Sequence, residues 1–196
     1  MATVENFDAV RITNASVQFF EGGTQKTGTK FGFIGTIEGE TELKEFIKTV
    51  EGIEVDKIVK PVKMNMTVSG HIPVKVARSL FGLSNTDLMA GVYSYGANSK
   101  GKKFIFTADV IDEFQEITKL IAFSNCLSST GFNISIDNAA DELAELEIEF
   151  TAMRDTKGNF YYEAITSELD VAEADYITDE WHAMFTPTLV KLGGVI

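Results

Sequence analysis

Two histidines and one cysteine are the side chains here that could offer imidazole or thiol chemistry. His71 sits on the polar side of an alternating stretch, and His182 follows Trp181 near the C-terminus. Neither has a second His or Cys at ligand spacing, so the pattern does not indicate a zinc site. Cys126 lies in the Ser/Asn-rich stretch SNCLSST, with no histidine or cation nearby to lower its pKa. Residues 96–101 (GANSKG) hold Gly, Ser and Lys, but a phosphate loop needs G-K-[ST] ahead of a helix. They read as a strand connection. Neither G-x-S-x-G nor H-E-x-x-H occurs. The sequence therefore suggests no enzyme, no catalytic residue, no metal and no cofactor.

The carboxylates are more informative. Asp109, Asp112, Glu113 and Glu116 would split between two faces of a strand or line one side of a helix. The turn glycine of a calcium loop is missing from them, and they read as a solvated turn. Glu145, Glu147 and Glu149 recur at period two, which puts three like charges on one strand face. An isolated domain gains little from that self-repulsion. A surface that must repel a polyanion gains from it.

Composition frames this row. Asp and Glu total 29 against 17 Lys and Arg, a net charge of −12. Residues 1–103 carry a net +2 and residues 104–196 a net −14. An acidic chain is a poor candidate for gripping phosphates or docking on an anionic membrane. No apolar run approaches the ~18–20 residues that span a bilayer. The first ten residues include Glu5 and Asp8 and lack the apolar core of a signal peptide. One cysteine makes no internal disulfide, consistent with folding in a reducing cytoplasm.

The elements that must position the Glu row follow from periodicity. Residues 1–9 read as an arm. Val10 to Phe19 alternates with a phase slip near Asn14, as a strand with a bulge does. Residues 21–30 (EGGTQKTGTK) read as an exposed, mobile loop, and Phe31–Ile37 as a strand. Leu43, Phe46, Ile47 and Val50 recur at i, i+3, i+4 and i+7, which predicts a helix over 41–50, capped by Thr41 and closed by Gly52. Lys63–Ile72 alternates strictly, and Pro73 opens a short helical turn ending at Gly82. Residues 82–91 read as loop. Lys103–Ile111 and Ile117–Phe123 read as strand–turn–strand, with a helix from Asp112 as the competing reading. Phe132–Ile134–Ile136 and Leu146–Ala152 follow as strands. Phe160–Ile165 is expected to pair back on the latter through the turn DTKGN. Ser167–Glu180 is acidic and weakly periodic, and residues 181–196 are apolar enough to dock. The sum is a single, mainly β (α+β) domain over 1–196: an antiparallel sandwich or partial barrel with one flanking helix.

Several stretches together resemble the major tail tube proteins of long-tailed bacteriophages and related prophages of Gram-positive hosts. They are GHIPVKVARSLFGLS (70–84), GVYSYGANSKGKKFIFTADV (91–110), DEFQEITKLIAF (112–123), STGFNISIDNAADELAELEIEFTA (129–152) and GNFYYEA (158–164). They cover roughly half of the chain. The resemblance implies a tail-tube-like fold and a structural virion protein, made in the host cytoplasm. Its subunits form rings, usually hexameric, that stack into a tube around the tape-measure protein. Tail-terminator and distal tail proteins are its further partners, and double-stranded DNA later passes without specific binding. It makes Glu145, Glu147 and Glu149 candidates for lining the lumen, with the tube exterior as the alternative assignment. It also makes Gly22, Gly23, Thr24, Gln25, Lys26, Asn85 and Asp87, with arms at 1–9 and 166–196, candidates for contacts between rings. The alternative is a sugar- or surface-binding β-sandwich module, whose aromatic platform would draw on Tyr93, Tyr95, Tyr161, Tyr162 and Trp181.

Overall fold

The computed structural model describes residues 3–134 and 145–191. Strand β1 (Arg11–Glu21) carries the expected bulge: Asn14 has φ of 50° and the register slips between Thr13 and Ser16. Gly22 and Gly23, both at positive φ, then reverse the chain. The segment that follows is not an open loop. It forms two short strands, β2 (Thr24–Gln25) and β3 (Thr29–Lys30), which pair back on β1.

The helix expected over 41–50 does not form. Those residues belong to β4 (Phe33–Val50), which runs antiparallel to β5 (Ile53–His71). The reason lies in the pattern itself. In an extended chain, Leu43 and Ile47 share one face while Phe46 and Val50 share the other. Spacing that reads as one helical stripe is equally a strand that is apolar on both faces. Ile, Val and Phe also favour the strand. Glu51 and Gly52 have φ of 51° and 80° and make a two-residue hairpin turn, so the left-handed glycine serves a hairpin rather than a helix end.

Helix α1 (Val74–Phe81) starts after Pro73 and stops at Gly82, which is left-handed, as expected. Strands β6 (Phe104–Asp112) and β7 (Ile117–Ser128) are joined by a turn, so the competing helix is absent. Strand β8 (Leu146–Ala152) alternates as read. Residues 132–134 are not in a strand, and Ile136 lies outside the described residues. Strand β9 (Tyr161–Ile165) pairs with β7 rather than with β8. The edge of β7 is shared: Cys126–Ser128 bond to β8 and Lys119–Phe123 to β9. Between these stretches Asn125 has φ of 49°, which breaks the ladder and lets β7 serve two sheets.

Two antiparallel layers result, β4–β5–β8 and β1–β6–β7–β9, joined through β7. Their inner faces meet in a core of Val17, Phe104, Phe106, Val68, Ile148 and Phe150, with α1 contributing Val76 and Leu80. Phe104 and Phe106 lie edge-on or tilted to Phe150, with centroids 5.3 and 5.6 Å away. A second helix, α2 (Val171–Ala183), covers the outer side of β1–β6–β7–β9. It buries Ile177 and Trp181 against Ile105, Leu120 and Ala122, and Phe185 and Leu189 just beyond it join them. The fold is mainly antiparallel β with a flanking helix, as expected, but α2 supplies the flank. Residues 171–190, within the segment expected to act as an arm, pack against this chain's own sheet.

Candidate functional site

The outward face of β4–β5–β8 is built by simple alternation. Inward residues Met66, Val68, Ile148 and Phe150 are buried, which turns Asn65, Thr67, Ser69, Glu147 and Glu149 outward. Glu145 lies just before β8 and accepts a hydrogen bond from Ser69 Oγ at 2.9 Å; Thr36 Oγ1 lies 2.9 Å from Ser69 in turn. Glu145, Glu147 and Glu149 are therefore exposed and on one face. On the far side of β5, Glu38 stands opposite Thr67 and Glu40 opposite Asn65. Two glutamate columns flank a strand whose facing residues there are neutral. They stand two strand spacings apart, about 10 Å, which is near the Debye length at physiological salt. That separation explains how one face tolerates so many like charges. Glu42 closes the β4 column and is ion-paired with Lys63 at 3.1 Å. The sequence reading missed Glu38, Glu40 and Glu42. Their period-two spacing was the available signal, hidden because the stretch runs into the supposed helix.

The same face changes character along β4. After Glu38, Glu40 and Glu42 the outward residues become Lys44, Phe46, Lys48 and Val50. Here the sheet has also changed. β8 pairs only with Met64–Gly70, so from Glu42 and Lys63 to the tip β4 and β5 stand alone as a two-stranded ribbon. About nine residues per strand at ~3.3 Å each give a projection of about 30 Å. Leu43, Phe46, Ile47, Val50, Ile53, Val55, Ile58, Val59 and Val62 lie along it, each 38–68% exposed. Among the described residues the apolar side chains of the ribbon have no cover, and an isolated two-stranded hairpin is marginal in water. Apolar surface gathered on this scale marks an interaction site rather than ordinary surface scatter.

The other candidate residues fall elsewhere. Gly22 and Gly23 form the exposed β1–β2 turn, with Thr24 and Lys26 exposed beside it. Gln25 is tied inward, donating to Gln18 Oε1 at 2.7 Å and to the Phe185 carbonyl at 2.8 Å. Asn85 braces the 85–92 loop by donating to the Met89 and Val92 carbonyls, and Asp87 is left-handed at φ 61°. The structure does not bring these two loops together with the glutamates in a single cluster.

Three groups with chemical potential are accounted for internally. His182 Nε2 donates to Asp109 Oδ1 at 2.8 Å, and its Nδ1 lies 2.9 Å from Thr107 Oγ1. Hydroxyl, imidazole and carboxylate are the components of a nucleophilic triad. Thr107, however, is completely buried in the sheet, so the array fastens α2 instead of presenting a nucleophile. Burial raises the Cys126 thiol pKa far above its ordinary value, which leaves it inert. Asp112 accepts from the Asp8, Phe114 and Gln115 backbone N–H groups and is held below the usual carboxylate range, chiefly by the Asp8 bond. Among the described residues no group of three or more His, Cys, Asp or Glu is placed to hold a metal ion. No helix there is long and apolar enough to cross a membrane. Tyr161 packs on Phe123 in one core and Tyr162 on Phe185 in the other, and Trp181 is fully buried, donating to the Ile121 carbonyl. These three do not form an exposed aromatic platform.

No protein-family model matches the chain, and no curated protein matches it. Among solved structures it is similar to the anti-feeding prophage cap, a tube terminating cap. The identity is 12%, covering 84% of this chain and 94% of that one, with a TM-score of 0.42.

Proposed function

We propose that this chain is a structural subunit of a phage-type tail tube: it assembles into rings, which stack around a tape-measure protein and later conduct double-stranded DNA. The observation that carries this reading is one continuous sheet, acidic and open on its outward face over the body and drawn out into an uncovered apolar ribbon. The ribbon calls for partners, and the glutamate columns suit a wall that must not hold DNA. Phosphates meet like charge there, and the lysine beside the columns, Lys63, is already ion-paired with Glu42, which leaves little cationic contact to release counterions. The edge of β4, which has no partner strand among the described residues, fits closure of neighbouring sheets into one barrel, which removes exposed edges. Head-to-tail stacking of rings gives an open filament. The sequence resemblance over residues 70–164 supports the same reading.

On this proposal Glu145, Glu147 and Glu149, joined by Glu38 and Glu40, face the lumen. The turn at Gly22–Lys26 and the loop holding Asn85 and Asp87 contribute to contacts between rings. Tail-terminator and distal tail proteins cap the two ends. The protein acts in the virion tail and is not an enzyme. Negative-stain microscopy of the purified chain, alone and on a tail-initiation template, tests the reading. Hollow rings or tubes are expected. A chain that remains monomeric under both conditions at high concentration overturns it.

A further inference from the structure

The ribbon formed by residues 42–63 has two faces, and each carries large apolar side chains. Cross-strand pairs share a side, so Phe46 with Ile58 and Val50 with Ile53 mark one face. Leu43 with Pro61, Glu45 with Val59 and Ile47 with Lys57 mark the other. A strand pair that packs on a single surface keeps its second face polar. Here each face keeps large apolar side chains that are exposed in the single chain.

The faces also differ in charge. On the second, Glu45 is ion-paired with Lys57 at 2.7 Å. On the first, Lys44, Lys48 and Lys60 stand with Asp56 as the one acid between Glu42 and the tip. Two of these lysines lie near the Phe46 ring, at 5.2 and 6.0 Å from its centroid. Residues 43–62 are neutral in sum, so the rest of the chain carries the whole −12. The lysine-bearing face therefore has a charge complement on another copy of the same molecule.

We infer that the ribbon is clasped between two neighbouring copies of this chain, one against each face. This deepens the tube reading and rests on it. The lysine face meets acidic surface of one neighbour, and the Leu43–Ile47–Val59 face packs on the other. A dimer leaves one face open, so assembly proceeds from at least three copies, and a subunit blocked on one face ends growth instead of being ignored.

Two variants separate the faces: Phe46→Ser with Ile58→Ser, and Ile47→Ser with Val59→Ser. Circular dichroism and thermal melts confirm that the body stays folded, since these side chains are exposed in the single chain. Sedimentation and microscopy then measure assembly. Each variant alone is expected to raise the critical concentration roughly a hundredfold, about tenfold per buried apolar side chain lost. Mixed at low ratio with unmodified protein, each is expected to shorten the assemblies, whereas the four-site variant leaves their length unchanged. A third variant, Lys44→Glu with Lys48→Glu, keeps the apolar area and is expected to block assembly through charge alone. Assembly that survives either two-site variant unchanged overturns the clasp and leaves the tube reading standing. Unmodified protein that never assembles overturns both.

Discussion

Asp112 shows how a chain this acidic uses a carboxylate internally. Its side chain satisfies two N–H groups of its own turn and one from the N-terminal segment. Its folded pKa is depressed below the ordinary 3.8, so it stabilises the fold at pH values above that ordinary value. The stabilisation is lost as pH falls through the depressed value. Asp112→Asn is expected to lower the urea midpoint at pH 7, with the gap to the unmodified protein closing in strong acid. Cys126 predicts the opposite kind of silence. Its buried thiol should resist alkylation in the native state and react fully in denaturant, as mass spectrometry would report. At Gly28 a Cβ would overlap the His182 carbonyl and crowd Ser16 Oγ. Gly28→Ala is expected to cost about 1–3 kcal/mol by overpacking, measured by chemical denaturation.

Helix α2 depends on few side chains. Trp181 fills the space over β7 and donates from its indole to Ile121, while Gln18 joins β1 to the Trp181 carbonyl and the Phe185 N–H. Trp181→Ala is expected to cost about 3–5 kcal/mol and to expose residues 171–183 to proteolysis and hydrogen exchange before the sheets open. Little of this docking was legible in the sequence, because Ser16, Gln18 and Thr107 are polar residues buried by partners far along the chain. The inward strands were legible: Met66–Val68, Phe104–Ala108 and Ile148–Ala152 alternate and lie where alternation puts them. So was the bulge at Asn14. The β4 misreading has a definite cause. Periodicity assumes one buried face, and the ribbon has two apolar faces with no cover among the described residues. The partner of β9 was hidden for another reason, since nothing local records that β7 keeps half an edge free.

For the whole molecule, the decisive property is where charge sits. Three of the outward glutamates were readable from the spacing at 145–149. The β4 column was not, and it takes the register of β4 on β5 to place both on one surface. Replacing Glu38, Glu40, Glu147 and Glu149 together with Lys is expected to leave tubes able to form. It should make them retain duplex DNA at low salt, with retention falling steeply as salt rises. A filter-binding titration measures this. Retention equal to that of unmodified tubes would place the columns on another surface.

The shared edge of β7 has a mechanical consequence. Tension applied to the tip of the ribbon runs along β4 and β5, parallel to the strands and across their hydrogen bonds. It therefore loads the β5–β8 and β8–β7 ladders in shear, many bonds at once, and cannot peel them one by one. Because β7 also holds β6 and β9, the load passes into the second sheet without crossing a loop. Force spectroscopy with one handle at the tip and one on β6 should meet high resistance, well above that found by pulling on α2.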